Sequence, residues 1–265
     1  MNFHRLKKAL ILSAFFIACC FSQASISADC GAFKATETAT IRYIHDGDTL
    51  FLKDNRKVRL IGIDTPELAR KKNKQLTAEQ PFARQARDYA RQLIRQHGNK
   101  VSLMSGIEKA DHYQRSLFHI QLADGSLLQQ RLLQAGLALA YTYPPNQQLT
   151  HCYQKSETQA RQQSRNIWSH EKYQIKTIDM IKPNDQGFHI IKGRIRHIGE
   201  SRKSYWLNFY GKFSARIKKS DLKYFKQPLQ NYLEKDVTIR GWLRHYKNKA
   251  QMTLRHPSAV ELIQP

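Results

Sequence analysis

Short apolar runs separated by polar turns dominate the first part of the chain. Side chains alternate between apolar and polar at residues 39–44, and the runs at 49–52 and 58–63 are mostly apolar. Runs of this length that are bounded by Gly, Asn or Asp are typical of β-strands. The pattern therefore predicts three strands between residues 36 and 65.

A helical period replaces the strand pattern after Pro81. Apolar residues recur at helix spacing from Phe82 to Ile94, and Gly98 follows as a stop signal. The same criteria predict two further strands and two further helices, at residues 101–104, 116–122, 128–135 and 152–165. Early strands, with helices between and after them and no βαβ alternation, favour a small barrel decorated by helices. The predicted fold class is α+β and mainly β, a five-stranded OB-type barrel with about three helices.

The composition changes after Trp168. Residues 171–187 contain the breakers Pro183 and Gly187, and they predict a linker. Strand-like runs return beyond it, at residues 189–198, 205–209, 213–217, 237–243 and 251–254. Residues 188–265 are therefore predicted to form a second small, β-rich, OB-like domain.

The first 28 residues have the pattern of a secretory signal peptide. Three basic residues precede an apolar run from Ala9 to Phe21, and small residues follow it. This run is shorter than the roughly 20 apolar residues that a membrane-spanning helix needs. We therefore expect export, to the periplasm or fully out of the cell, with no stable membrane insertion after signal removal. A lipid anchor at Cys19 is an alternative.

Two cysteines remain beyond the predicted signal, Cys30 and Cys152. An oxidising compartment favours a disulfide between them. Two separate buried thiols are the alternative. No cysteines in the sequence have the spacing of a metal–thiolate site.

The charge balance is strongly basic. The chain of 265 residues has 44 Lys and Arg against 21 Asp and Glu, a formal net charge of +23. From residue 175 onward, 19 basic residues stand against 7 acidic ones. Such a surplus is an argument about partners, and nucleic acid, an anionic membrane surface or another acidic polymer would each suit it. A basic surface without a polyanionic partner is the remaining possibility.

Two acidic turns follow predicted strands. The first is Asp46–Thr49, and the second extends from Arg59 to Glu67. Either turn alone would suit a hairpin or a helix cap. Two aspartates at strand ends can also share one hard divalent cation. An arginine that binds phosphate in a fork and a glutamate that orients water would complete the chemistry of phosphodiester cleavage.

A second polar cluster lies further along the chain. Residues 111–115 combine an Asp, a Tyr and an Arg in a loop before a predicted strand, and residues 141–146 add two tyrosines. Tyrosines beside arginines suit base stacking and phosphate binding. Each cluster alone would also suit an ordinary solvated loop.

Five motifs, in this order, resemble staphylococcal nuclease. They are DGDT at 46–49, RLIGIDTPE at 59–67, DHYQR at 111–115, QAGLALAYTYPPN at 134–146 and SRNIW at 164–168. The resemblance covers residues 36–170, the predicted catalytic domain. It implies a helix-decorated OB barrel that hydrolyses DNA and RNA to 3′-phosphate products with calcium. We expect the protein to be a monomer.

The resemblance also assigns roles by motif position. The assigned residues are Asp48, Asp64 and the Thr65 backbone carbonyl for calcium, Arg59 and Arg115 for phosphate, Glu67 for activating water, and Asp111, Tyr113 and Tyr141 for the nucleotide. Two positions depart from the family, because His112 stands where the family has Lys and Gln114 where it has Gly. These departures bear on nucleotide affinity more than on chemistry.

Two other functions remain open at this point. A catalytically inactive nucleic-acid-binding protein of the same fold would lack the calcium carboxylates, the base or the arginine pair, and all of these are present. A basic envelope-binding structural protein would not need acidic turns at these positions. For the second domain, a nucleic-acid platform and a structural or docking role are both open.

Overall fold

The computed structural model describes Cys30, residues 34–72 and residues 75–263. The predicted signal peptide, residues 1–28, lies outside the described residues. Five strands close a first barrel in the order β1-β2-β3-β5-β4. They are β1 Glu37–Ile44, β2 Thr49–Leu52, β3 Lys57–Leu60, β4 Lys100–Ala110 and β5 Ser116–Gln121.

The apolar runs supply the core of this barrel. Leu52, Val58, Leu103 and Ile120 are completely buried, and each comes from a different strand. β3 and β5 pair in parallel. A short hairpin cannot join two parallel strands, so the chain between them makes a longer crossover connection. The other neighbouring strands of the barrel pair antiparallel.

Three α-helices accompany the first barrel, α1 Ala83–Gln96, α2 Leu128–Gln134 and α3 Thr150–Gln162. α1 buries one face, formed by Ala86, Ala90, Leu93 and Ile94, because these apolar residues recur at helix spacing. No helix of the described residues is long and apolar enough to cross a membrane.

A second five-stranded ring follows in the order β6-β7-β8-β10-β9. Its strands are β6 Gly187–Ser201, β7 Ser204–Phe209, β8 Phe213–Lys218, β9 Asp236–Tyr246 and β10 Lys249–Leu254. Here too the third and fifth strands pair in parallel. Both barrels therefore share one strand order, and the predicted fold class is confirmed.

The segment predicted as a linker has structure of its own. Strand Ile175–Thr177 pairs in parallel with residues 190–192 of β6.

A further short strand, Val260–Leu262, follows β10 and pairs with β9. Short 3₁₀ helices complete the chain, at Asn166–Ser169, Glu171–Tyr173, Ile178–Met180, Lys219–Tyr224, Leu229–Tyr232 and Pro257–Ala259.

Two pairs of two-residue strands lie near the acidic turns. Ile63–Asp64 pairs antiparallel with Leu139–Ala140, and Lys71–Lys72 pairs with Gln75–Leu76. The first pair joins the second acidic turn to the segment that precedes Tyr141, and so positions both for a common site.

The two barrels share a buried apolar cluster. Its buried members are Leu139, Ala160, Ile167, Trp168, Tyr173, Phe188 and Ile190, which come from both sides of the contact. Beside it, Glu157 of α3 and Arg240 of β9 form an ion pair in which both side chains are almost fully buried. Glu157 Oε1 accepts hydrogen bonds from Arg240 Nη2 at 2.6 Å and from the Ala140 amide at 2.7 Å.

Cys30 and Cys152 lie together at disulfide-bonding distance, with their Cα atoms 5.1 Å apart. Cys152 is buried in α3, and Cys30 packs against the core of the first barrel. The structure thus favours the disulfide over two separate thiols.

Candidate active site

The first acidic turn is held by its own side chains. Asp46 Oδ1 accepts hydrogen bonds from the amides of Asp48 and Thr49, at 3.1 and 2.7 Å. Gly47 lies directly against Thr65, since a Cβ at this position would come within 2.7 Å of the Thr65 side chain. Only glycine leaves room for this approach, which brings the first acidic turn against the second.

Asp48 connects the two turns. Its Oδ2 accepts hydrogen bonds from the backbone amide and the hydroxyl of Thr65, at 2.8 and 3.0 Å. The residue is buried, with 6% of its surface exposed. A buried carboxylate is costly unless it is paired and hydrogen-bonded, and here it is both.

The guanidinium of Arg59 lies between the two aspartates assigned to calcium. Its Nε is 3.2 Å from Asp48 Oδ1, and its Nη2 is 2.7 Å from Asp64 Oδ1. Nη1 donates to the backbone carbonyls of Leu60 and Ile63. The fork of Arg59 therefore has a fixed position at the end of β3.

The acidic side chains disfavour one another's ionisation. Burial, with the charges of Asp48, Glu67 and Asp46, raises the pKa of Asp64 to about 8 against the opposing effect of Arg59. Burial and the neighbouring Asp48 raise the pKa of Asp46 to about 7. An excess of negative charge at one place favours a cation.

Glu67 follows the second acidic turn at the edge of this group. Its side chain is 43% exposed and lies 3.6 Å from Arg70. Its backbone carbonyl accepts a hydrogen bond from Gln80, which fixes the main chain before α1. A carboxylate that is exposed to water and close to the acidic group is placed to act on a solvent molecule.

The second polar cluster forms the loop between β4 and β5. Asp111 Oδ1 accepts hydrogen bonds from the amides of Tyr113 and Arg115, and its Oδ2 lies 2.7 Å from Arg115 Nε and Nη2. Gln114, at the family's glycine position, has a φ of +60°, in the left-handed region that favours glycine. Tyr113 is 70% exposed, and its ring contacts the His112 ring at a tilted angle of 41°.

Both arginines line one pocket of about 250 Å³. Asp111, His112, Tyr141, Tyr143 and Asn146 also line it. Asp48 and Asp64 pair with Arg59 beside the pocket. Thr65 donates hydrogen bonds to Asp48, and Glu67 acts on Arg59 through its charge. The Tyr113 ring is exposed to solvent. The structure thus gathers most of the predicted residues at one mouth of the first barrel.

Tyr141 is covered by the second barrel. Its ring contacts the ring of Trp242 edge to face, with centroids 4.4 Å apart. Burial raises the pKa of Tyr141 to about 12. The phenol therefore remains protonated, and a hydrogen-bond donor, at neutral pH.

Sequence reasoning missed three residues around the pocket. Asp46 was part of a predicted acidic turn but not of the predicted ligand set. Trp242 and Arg255 belong to the second barrel, and Arg255 contacts the ring of Tyr143 with its guanidinium carbon 4.1 Å from the centroid. No local signal in the sequence could pair residues more than 100 positions apart.

Comparisons with known proteins agree with this architecture. Residues 57–170 match the family described as Staphylococcal nuclease homologue. The chain is 31% identical over 147 residues to the thermonuclease of Staphylococcus intermedius, which covers 52% of the chain and 83% of that relative. It is 31% identical over 136 residues to the thermonuclease of Staphylococcus hyicus, covering 50% and 76%. Endonuclease YncB of Bacillus subtilis (strain 168) is 32% identical over 144 residues, covering 53% and 65%.

The first barrel has the strand order of an OB barrel. With acidic turns beside a pocket that two arginines line, it has the features of a nuclease of the OB-barrel type. The chain is a member of the staphylococcal nuclease family. Its enzymatic activity is that of a nuclease, in agreement with the names of these relatives.

Proposed function

We propose that this nuclease hydrolyses phosphodiester bonds of DNA and RNA with calcium, and that it leaves 3′-phosphate products. The observation that carries the proposal is that Arg59 and Arg115 line one pocket beside a crowded group of carboxylates. We further propose that the protein is exported, to the periplasm or beyond, and acts as a monomer.

The residues fit a calcium ion by their chemistry. In the part of the chain that the structure describes, no three His, Cys, Asp or Glu side chains form a metal site by themselves. The proposed ligands are two carboxylates, of Asp48 and Asp64, with the Thr65 carbonyl and water. Mixed oxygen ligands with flexible geometry suit calcium better than magnesium, which demands a near-ideal octahedron. Burial, together with the neighbouring carboxylates, raises the pKa of Asp64, and a bound dication would offset that cost of ionisation.

The chain's own residues supply the remaining steps. Arg59 and Arg115 bind the phosphate oxygens and stabilise the charge that develops on them. Asp48, Asp64 and Asp111 hold the two guanidiniums in place, which limits the side-chain freedom lost on binding. Glu67 accepts a proton from the attacking water, whose oxygen bonds to phosphorus as the bond from phosphorus to the 5′-oxygen breaks. The phosphate stays on the 3′-oxygen, and solvent supplies the proton for the leaving 5′-oxygen. When bound, calcium adds positive charge beside the phosphate.

The test is a cleavage assay of purified protein on single-stranded DNA, duplex DNA and RNA. Calcium should support rapid cleavage, magnesium little, and excess chelator none. Phosphatase treatment should change the gel mobility of products that carry a fluorescent label at the 5′ end, because it removes the phosphate from their 3′ end. Full activity in chelator would contradict the metal requirement, and equal activity with magnesium would contradict the choice of calcium.

The alternative, an inactive binding protein of the same fold, has less support. Every residue that the proposed chemistry needs is present, and both arginines are oriented by carboxylates. Binding without any cleavage in calcium would favour this alternative.

A further inference from the structure

The wall of the catalytic pocket continues onto the second barrel. The guanidinium of Arg255, the first residue after β10, lies over the ring of Tyr143 and hydrogen-bonds its hydroxyl. Arg255 is also held by Asp221, with Nε 3.3 Å from Oδ2. Tyr143 lines the pocket, so one residue of the second barrel belongs to the edge of the active site.

The outer face of the second barrel begins at this edge. Alternate residues of a strand point to opposite faces, so Thr253 lies on the same face as Arg255. Thr253 pairs with Arg216 of β8, and Arg216 pairs with Trp206 of β7. The three side chains are at least partly exposed. Neighbouring strands are about 4.8 Å apart, so Trp206 lies roughly 10 Å across the sheet from β10.

The ring on this face has a fixed orientation. The Arg216 guanidinium carbon lies 5.7 Å from the Trp206 ring centroid, and Arg216 Nε donates to Ser204 Oγ at 2.7 Å. Trp206 Nε1 donates to Ser201 Oγ at 3.1 Å. Gly199 is the neighbour of Trp206 on the other side, and it has no side chain of its own to cover the ring. A flat ring with a cation over one face suits a base stacked on its other face and the phosphate next to that base.

The charge around this face is positive. Arg202 and Lys203 form the turn that leads into β7, and Lys218 pairs with Ser204 at the end of β8. Asp221 is paired with Arg255, and Glu200 is paired with Lys219. The acidic residues nearby are thus neutralised, while several cations remain on the surface.

We propose that single-stranded nucleic acid continues from the catalytic pocket, past Tyr143 and Arg255, across the outer face of β8 and β7, where a base stacks on Trp206. Arg216 and Lys218 bind the adjacent phosphates. The inference rests on the proposed binding of the cleaved phosphate by Arg59 and Arg115. A single strand is required because the bases of a duplex are already stacked on each other.

The test compares the double variant Trp206→Ala/Arg216→Ala with a matched control. The control, Tyr246→Ala/Lys247→Ala, also removes a ring and a cation that contact each other, at 5.6 Å. It lies on the exposed β9–β10 hairpin, at the opposite end of β10 from Arg255. Thermal unfolding of both variants checks the fold. Trp206→Leu alone provides a second variant that keeps apolar volume without a flat ring.

Binding of a fluorescent 16-nucleotide oligothymidylate is measured by anisotropy in chelator, and cleavage of a thymidine dinucleotide is measured in calcium. Trp206→Ala/Arg216→Ala should raise the Kd of the oligonucleotide about tenfold, because one base–aromatic contact contributes on this scale. Its turnover of the dinucleotide should stay within about twofold of wild type. The control should change neither quantity.

The outcomes are distinguishable. An unchanged Kd for Trp206→Ala/Arg216→Ala, or an equal loss of affinity for the control, would overturn the proposed path of the single strand across β8 and β7. An equal loss of affinity for a 16-base-pair duplex would overturn the base-stacking role of Trp206. Wild-type protein that binds the oligonucleotide but cleaves no substrate would overturn the proposed hydrolysis. The comparison of Kd values between the variant and its control would still test the proposed path of the single strand.

Discussion

Arg59 has two partners in the site, because the fork that is proposed to bind phosphate also spans Asp48 and Asp64. Both carboxylates are within 3.2 Å of its nitrogens. Removal of its charge would leave the acidic group without its nearest cation. Its role in the reaction and its role in stability are therefore coupled, which the sequence pattern did not indicate.

Loss of Arg59, Arg115 or Glu67 should reduce turnover strongly. We expect Arg59→Ala, Arg115→Ala and Glu67→Ala each to lower kcat by at least ~100-fold. Loss of one charge-stabilising donor costs about 2.7–4 kcal/mol, and loss of a general base costs about 10²–10⁴-fold in rate. Steady-state cleavage in calcium measures this. Arg91→Ala is the matched control, because Arg91 is a surface arginine of α1 that pairs with Asp88.

Thermal unfolding separates the two roles of Arg59. Arg59→Ala should also lower Tm in chelator, because it leaves buried carboxylates without their cation. Arg115→Ala should lower Tm less, since Asp111 keeps its backbone hydrogen bonds. Wild-type turnover in any of the three alanine variants would remove that residue from its proposed role.

At the scale of elements, most strands and helices could be predicted from the sequence. The apolar run of β2 has the predicted bounds, and α1, which has a clear helical period, differs from the prediction by one or two residues at each end. The pair Ile63–Asp64 with Leu139–Ala140 could not be predicted, because two-residue strands have no period. β9 was predicted, but the partners of its polar face were not.

The buried polar residues of β9 show why their partners could not be predicted from the sequence. Alternation along a strand predicts that Thr238 and Arg240 point to solvent, yet only 7% and 6% of their surfaces are exposed. Glu157 of α3 neutralises Arg240, so the charge can be buried. A buried ion pair depends on a partner distant in sequence, and the polar pattern of one strand does not reveal it.

The bond between Cys30 and Cys152 should form in the exported protein. It would close a loop across 122 residues and fasten the chain before β1 to α3. The chain-entropy model gives an upper stabilisation of about 4–5 kcal/mol for a loop of this length. Mass mapping of non-reduced peptides should find the two residues joined, and Cys30→Ser/Cys152→Ser should unfold at lower denaturant concentration. Two free thiols in protein recovered after export would contradict the pairing.

At the scale of the whole molecule, the two barrels are joined by a charged contact as well as an apolar one. We expect Arg240→Met to destabilise the protein by about 3–5 kcal/mol, because it leaves Glu157 buried without its cation. Glu157→Gln should destabilise it too. The double variant should lose less than the sum of the two, since neither charge is then left unpaired.

Denaturant unfolding measures these losses. Arg194→Ala is the control, because Arg194 forms an exposed ion pair with Asp236 on the same barrel, and it should change stability little. Additive losses for the two buried residues would show that the pair is not coupled. Two separate unfolding transitions in wild-type protein would contradict a firm contact between the barrels.

Glu157 has a consequence for the ancestry of the chain. One carboxylate oxygen accepts hydrogen bonds both from Ala140, in the strand that pairs with Ile63–Asp64, and from Arg240 of the second barrel. A tail domain exchanged for one from another protein would have to bring an arginine to the same place, or leave an unpaired charge a few residues from the catalytic mouth. The two barrels are therefore expected to be inherited together, and to change together, as one unit.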